Sequence, residues 1–263
     1  MIRSALMNVM TAAAIKAGRG LKRDFGEVEH LQVSVKGPAD FVSNADRRAE
    51  KTLFEELSRA RPGYGFLMEE GGEVEGADKT HRWIIDPLDG TTNFLHGLPI
   101  FAVNVALERE GQIVAALTYN PVADEMYVAE KGQGAWMNNH RLRVSARRDI
   151  ADGLIGCGVP PLGRAPLHPR FKTELSAVMA RAGNVRRLGA AALDIALVAA
   201  GRFDAFWERG LHPWDMAPGM LLVREAGGYV SDADGGDNVF KTGSICVGNE
   251  AMHRNLLQLL RTA

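Results

Sequence analysis

The sequence predicts a layered α/β protein on three observations. Six segments repeat apolar residues at helical spacing, an alternating meander occupies the stretch between residues 101 and 144, and five more short apolar runs follow in the second half. Helices alternating with two sets of strands bury their apolar faces most simply as stacked layers. At 263 residues and 46% hydrophobic content the chain can bury a large core, as one big domain or two tightly joined halves. We read one domain, with an N-terminal half over about 1–147 and a C-terminal half over about 148–263, and no repeat or low-complexity linker.

The elements follow in order. Residues 2–18 superficially suggest a signal peptide, with one arginine and several alanines, within a helical pattern over 4–22. Asn8, Thr11 and Lys16 interrupt that run, and Leu6, Val9, Met10 and Ala13 recur at helical spacing, as in an amphipathic first helix of a cytoplasmic protein. A second helix is expected at 47–59. Segments 102–108, 112–119 and 125–130 alternate and are separated by Gly111 and by Asn120 with Pro121, the pattern of an antiparallel meander. A second sheet should use 154–159, 185–188, 203–207, 229–231 and 245–247, with helices at 170–181, 191–200, 214–226 and 250–260. Cys157 and Cys246 sit in apolar strand-like segments and read as buried thiols, since no metal spacing or disulfide framework is present. No segment approaches the ~18 uninterrupted apolar residues of a membrane span. A net charge of −1 without a long run of one sign argues against a protein that coats nucleic acid, and leaves room for a local basic patch.

The chemistry concentrates in WIIDPLDGTTNF at 83–94. Trp83, Ile84 and Ile85 suit a buried strand that delivers Asp86 and Asp89 at its carboxyl end. Pro87 fixes φ and removes a donor, so the segment should leave the sheet there in a rigid turn. Two close carboxylates repel unless a cation or proton lies between them, and an all-oxygen donor set favours a hard ion such as Mg²⁺. Gly90, Thr91 and Thr92 allow the backbone to approach an anion, and a helical turn starting there would offer N–H groups and hydroxyls to a phosphate. Matching carboxylates stand elsewhere. Phe66, Leu67 and Met68 end in Glu69 and Glu70, as a neighbouring parallel strand should; Trp214 and Asp215 open a helix-like segment; Lys36 and Asp40 precede Asn44, Ala45 and Asp46.

DPLDGTTNF and HPWDMAPGMLLVREAGG, preceded by FVSNAD and FLMEE in order, resemble the signatures of the inositol monophosphatase family of Mg²⁺-dependent, lithium-sensitive phosphatases, over essentially 7–260. The resemblance implies an αβαβα sandwich and a homodimer. It implies that Glu69, Asp86 and the Leu88 carbonyl hold a first Mg²⁺, that Asp89 is shared with a second, and that Asp215 completes the second site. Asp46 and Thr91 resemble the pair that orients the attacking water, with Glu69 helping through a third metal. The Gly90 and Thr91 amides with Thr92 would bind phosphate, while Glu208 and the turn Gly189, Ala190, Ala191 and Ala192 would face the substrate's hydroxyls beside Asp215. Two departures stand out: Met68 where the family usually has glycine, and Ala190 where serine or threonine is common. The second removes a hydroxyl near the polyol.

Hydrolysis of a phosphate monoester demands something on the order of 20 kcal/mol of barrier reduction or more. Two metals can supply much of it by activating water, stabilising the leaving alkoxide and neutralising phosphoryl oxygens. In-line attack by a metal-activated water held by Thr91, Asp46 and Glu69, without a covalent intermediate, is the expected course.

Other features carry less. Asp232, Ala233, Asp234 and Gly235 mimic the DxDG of aspartyl-nucleophile phosphatases, but Gly236 and Asp237 follow, and a hairpin turn is the reading we adopt. His30, His81, His96, His140, His168, His212 and His253 form no pair at ligand spacing, although His96 and His212 adjoin the signatures. Arg186 and Arg187 in a strand should face opposite ways. Met216, Met220 and Leu221 read as helix core. Three functions are expected in order: hydrolysis of inositol 1-phosphate or a similar polyol phosphate; hydrolysis of fructose 1,6-bisphosphate, histidinol phosphate or adenosine 3′,5′-bisphosphate; or a regulatory role on the transcription machinery.

Overall fold

A computed structural model describes residues 4–27, 33–37 and 40–263; His30 and the side chains of Lys36 and Asp40 lie outside what is described. The first half runs α1 (Ala5–Phe25), β1 (Val33–Gly37), β2 (Asp40–Ser43), α2 (Asn44–Ala60), β3 (Tyr64–Met68), β4 (Gly72–Val74), β5 (Asp78–Asp89), α3 (Thr91–Leu95), β6 (Ala102–Arg109), β7 (Gln112–Asn120), β8 (Glu125–Glu130), β9 (Ala135–Met137) and β10 (His140–Arg141). The second runs β11 (Leu154–Cys157), α4 (His168–Met179), β12 (Asn184–Arg186), α5 (Ala191–Ala199), β13 (Ala205–Arg209), α6 (Pro213–Glu225), β14 (Tyr229–Ser231), α7 (Val239–Thr242), β15 (Ser244–Gly248) and α8 (Glu250–Thr262).

Alternation of side chains along the strands builds the layers. Eight strands pair in the order β10-β9-β8-β7-β6-β5-β3-β4, and five in the order β12-β11-β13-β15-β14. On one face of the larger sheet Trp83, Ile85, Val105 and Leu117 bury against Met7, Met10 and Leu21 of α1 and Leu53 and Leu57 of α2. Helix α1 starts on a Ser4 cap whose Oγ accepts from Met7 N at 3.0 Å, and it turns that apolar stripe inward along its whole length. The opposite face presents Ala102, Ala116, Tyr127 and Ala129 to α5 and α6. Phe206, Ile245 and Val247 of the smaller sheet close on the same helices from the other side. Their strand neighbours Ala205, Trp207 and Cys246 point away, towards Val178 of α4 and Met252, Leu256 and Leu260 of α8. The result is the αβαβα order, with both cysteines buried as expected.

The middle layer depends on close approach of α5 and α6. A Cβ at Gly219 would lie 2.5 Å from Cγ2 of Ile195. Alanine in a helix interior is ordinarily worth ~1 kcal/mol over glycine, but overpacking costs about 1–3 kcal/mol. Gly219→Ala is therefore expected to lower unfolding stability by about 1 kcal/mol or more in urea denaturation, and Ile195→Ala, which removes the Cγ2 that the new methyl meets, to cost less in the Gly219→Ala background than it does alone. A stabilised Gly219→Ala chain would contradict this packing.

Two expectations are corrected. The chain does not leave the sheet at Pro87: β5 continues to Asp89, with Asp86 opposite Asn104 and Asp89 opposite Ala102. Pro87 and Leu88 thus face one residue, Val103, which is a β-bulge, a position where a sheet accepts a residue lacking N–H. The strand-like segment at 185–188 ends at Arg186, so Arg187 lies beyond the pleat and the rule of opposite faces does not apply to the pair. Both side chains are exposed.

Candidate active site

Parallel pairing of β3 with β5 sets Met68 opposite Ile85, so the next residues of both strands, Glu69 and Asp86, emerge side by side at one sheet edge. The Glu69 N–H donates to the Ile85 carbonyl at 3.2 Å, extending the ladder to that point. Residues three apart in a regular strand face opposite ways; the bulge at Pro87 and Leu88 adds the residue that brings Asp86 and Asp89 to one side. Asp215 arrives from the smaller half in the first turn of α6. One carboxylate oxygen from each of Asp86, Asp89 and Asp215 lies within 4.8 Å of the others, a grouping that can hold a metal ion.

The three acids are also held by backbone. Asp86 Oδ1 accepts from Leu88 N at 2.9 Å, and Oδ2 from Asn104 Nδ2 at 3.4 Å. Asp89 Oδ2 accepts from Ala192 N at 2.8 Å, and the Ala191 amide also bonds that carboxyl, so Asp89 caps α5 from another layer. The α5 cap residue itself, Ala190, offers no side-chain bond, which is where serine or threonine would have supplied one. Asp215 Oδ2 accepts from His212 N at 2.7 Å and closes the capping box of α6. Two helices of the middle layer therefore start at the acid cluster.

Electrostatics follow from burial and mutual repulsion. Burial, then the charges of Glu69, Asp89 and Asp215, hold the Asp86 carboxyl well above the usual range. Burial raises Asp89 to about 7, opposed by the Ala192 N–H and reinforced by Glu69. Asp215 rises to about 7 through burial and then Asp89, opposed by His212 N and Arg164. Glu208 is pushed well up by burial, Asp194, Asp215 and Asp89, with Arg187 opposing. Asp194 rises to about 8 through burial and Asp89, with Arg187 and the Leu188 N–H opposing. Acids so placed hold protons more tightly than free carboxylates, and a cation among Asp86, Asp89 and Asp215 would favour their joint ionisation.

The remaining expected residues gather round this cluster. Asp46, fully buried in the first turn of α2, accepts from Thr91 Oγ1 at 3.2 Å, and the Leu88 carbonyl lies 3.0 Å from the same hydroxyl. Gly90 caps α3 at φ 89°, and a Cβ there would stand 2.9 Å from the Ile100 carbonyl, so glycine is required on both counts. Thr92 is exposed in the first turn of α3. Gly189 has φ 88° and precedes α5, while Glu208 extends half-buried from β13. His212 stacks on Trp214 at 4.8 Å and meets Arg164 at 2.8 Å, and exposed His96 ends α3. Met68 is buried and removes no carboxylate. The Asp232 loop is a turn: Oδ1 accepts from Asp234 N and Gly236 N at 2.9 and 2.7 Å, and Asp234 pairs with Arg170 and Arg209.

Four contributors escaped the sequence reading. Asn93 Nδ2 donates to the Ile100 carbonyl at 2.8 Å and the Leu188 carbonyl at 2.9 Å, tying the two halves together. Asn104 braces Asp86. Gly158 leaves room for the Glu208 carboxyl, which occupies the place of a Cβ. Asp194 is the lone polar side chain of α5. An acid in a helix's first turn gains about 0.3–1 kcal/mol from the dipole, whereas burying a charge costs several. One acid within the apolar run AALDIALVA was the available signal.

The chain is similar to known proteins over nearly its whole length. The family described as "Inositol monophosphatase family" matches residues 3–263. The chain is 63% identical over 261 residues to "Inositol-1-monophosphatase" of Mesorhizobium japonicum, covering 99% of this chain and 98% of that one. It is 41% identical over 260 residues to "Nus factor SuhB" of Escherichia coli K12, covering 97% and 96%. Its fold resembles the crystal structure of the extragenic suppressor protein suhB from Bartonella henselae, with a TM-score of 0.96, 56% identity, and coverage of 99% and 100%.

Proposed function

Because the chain belongs to the inositol monophosphatase family, a family of phosphatases, we propose that it is a Mg²⁺-dependent phosphomonoester hydrolase acting on inositol 1-phosphate or a similar small polyol phosphate. The observation that carries this reading is the meeting of Asp86, Asp89 and Asp215 within 4.8 Å beside the Thr91–Asp46 hydrogen bond. The donor set fits the ion: carboxylates raised by burial and mutual repulsion, with oxygen as the coordinating atom throughout. Glu69, Asp86 and the Leu88 carbonyl would hold one Mg²⁺, and Asp89 with Asp215 another. Bound there, Mg²⁺ supplies charge neutralisation at the phosphoryl oxygens and eases deprotonation of water.

The chain's own residues do the rest. Thr91 and Asp46 orient the attacking water, with the Asp46 carboxylate placed to receive its proton through the Thr91 hydroxyl. The water oxygen forms the new bond to phosphorus as the bond to the alcohol oxygen breaks in line; the alcohol oxygen takes a proton from solvent, and Asp46 later returns the proton it received to solvent. The Gly90 and Thr91 amides and the Thr92 hydroxyl hold the phosphate. Glu208, Gly189 and Ala191 face the alcohol. The whole chain acts as one catalytic domain; the family resemblance favours a homodimer, and the amphipathic first helix a cytoplasmic protein. No helix among the described residues is long and apolar enough to cross a membrane.

Phosphate release from inositol 1-phosphate, fructose 1,6-bisphosphate, histidinol phosphate and adenosine 3′,5′-bisphosphate tests the reading, with Mg²⁺, with chelator and with added lithium. Mg²⁺-dependent, lithium-suppressed turnover of inositol 1-phosphate is the expected result. Turnover of none of the four would overturn it. The 41% identity to a Nus factor supports a second reading, a binding surface for the transcription machinery on the same fold.

A further inference from the structure

Asp194 is a buried acid close to the site that the proposed chemistry leaves unused. Its side chain is 1% exposed, and Oδ1 has no hydrogen-bond partner among the described residues. Its ties run to the alcohol end of the site. The carboxyl accepts from the Leu188 N–H, and the Leu188 carbonyl accepts from Asn93 Nδ2 at 2.9 Å, so this residue is pinned through both peptide groups. Gly189 follows in the left-handed region, with the Arg187 guanidinium folded over it. Among the charges that act on Glu208, that of Asp194 is the largest, ahead of Asp215 and Asp89. The Cys157 thiol behind them feels Asp194 first and Glu208 second.

Gly158 closes the other side. Its N–H donates to the Trp207 carbonyl at 3.1 Å, which fixes β11 against β13 at that point, and the Glu208 carboxyl lies where a Cβ would stand. Glu208 lies against this bare backbone, within electrostatic reach of the buried Asp194.

We infer that Asp194 is a positioning residue for the alcohol subsite: it anchors the turn at 188–191 and backs the Glu208 carboxyl, and so selects a polyhydroxylated alcohol without taking part in phosphoryl transfer. This rests on the reading of Glu208 and the 189–191 turn as the alcohol subsite. A carboxylate set at a fixed place accepts from a hydroxyl of the substrate, and a substrate without that hydroxyl leaves the contact unmade.

The test compares inositol 1-phosphate with p-nitrophenyl phosphate, whose leaving group carries no further hydroxyl. Asp194→Leu is expected to lower kcat/KM for inositol 1-phosphate by about 10- to 100-fold, mainly through KM, and to change p-nitrophenyl phosphate hydrolysis by less than about threefold. Asp194→Asn keeps an acceptor for Leu188 N–H and should restore most of the loss. Gly158→Ala displaces Glu208 and should reproduce the selective loss, which checks the alcohol subsite itself, and Asp194→Ser, smaller and too short to reach the Leu188 N–H as the carboxylate does, should show the selective loss if the leucine variant does not fold. Equal losses on both substrates, or unchanged kinetics on inositol 1-phosphate, overturn the inference. A wild-type enzyme that hydrolyses p-nitrophenyl phosphate but not inositol 1-phosphate fails the substrate reading instead, and the same variants are then compared on the polyol phosphate it does hydrolyse.

Discussion

Asp89→Asn is expected to lower kcat for phosphate release by about a thousandfold or more while leaving the protein folded. The separation arises because Asp89 has two duties. Its Oδ2 accepts from Ala192 N at 2.8 Å and caps α5, and an asparagine oxygen can do the same. Its negative charge, which no neutral amide replaces, is the part that would bind a cation with Asp86 and Asp215. Removing one of several repelling acids should also raise the melting temperature of the chelated protein. Initial rates at saturating Mg²⁺, with thermal melts in chelator, check both parts. Activity within tenfold of wild type would mean that Asp89 is not a required metal ligand. The variant also addresses the second reading. A chain without turnover that still performs a regulatory task would show two separable functions.

In chelator, stability is expected to fall as pH rises from about 5 to 8, and Mg²⁺ to flatten the curve. Asp89 and Asp215 have ordinary values of 3.8 and are raised to about 7 in the fold. Between those values the native state holds more protons than the unfolded chain, so the stability gained from their retention is complete below about 4 and disappears as pH passes about 7. Asp86 and Glu208, also raised, act in the same direction. A cation takes the place of the protons, so its stabilising effect should be greatest at the upper end of this window. The difference in melting temperature with and without Mg²⁺ should widen by on the order of 5 °C or more from pH 5 to pH 8. A difference that stays constant or narrows would mean that these carboxylates do not exchange protons for the ion.

The layers were legible because periodicity reports burial directly. Ala205, Phe206 and Trp207 read as one apolar run, and the structure splits them between two cores as a strand buried on both faces requires. The three-acid cluster was legible in part from two motifs whose residue types suit one ion, and in part from family resemblance. Register was not. Whether Asp86 and Asp89 share a side depends on an extra residue opposite Val103, and the proline that marks the place was equally compatible with a turn out of the sheet. Contacts between distant segments were also hidden: nothing near Asn93 in the chain names Leu188, and nothing near Gly158 names Glu208. Asp194 was visible as an acid in an apolar run, but its meaning depends on the Leu188 amide and on Glu208, which sequence order places on either side of it.

The double duty of Asp89 and Asp215 bears on how such a protein changes over generations. Each carboxylate begins a helix of the middle layer through an acceptor oxygen, so replacing either by a residue without one disturbs architecture as well as the proposed metal site. A lineage that ceased to hydrolyse phosphate would still be selected to keep a capping oxygen at both positions but would be free to exchange aspartate for asparagine, and such an exchange in a descendant would record which of the two duties had lapsed. Innovation in what is recognised has more freedom at positions such as Ala190 and Met68, where a departure from the family pattern removes no carboxylate.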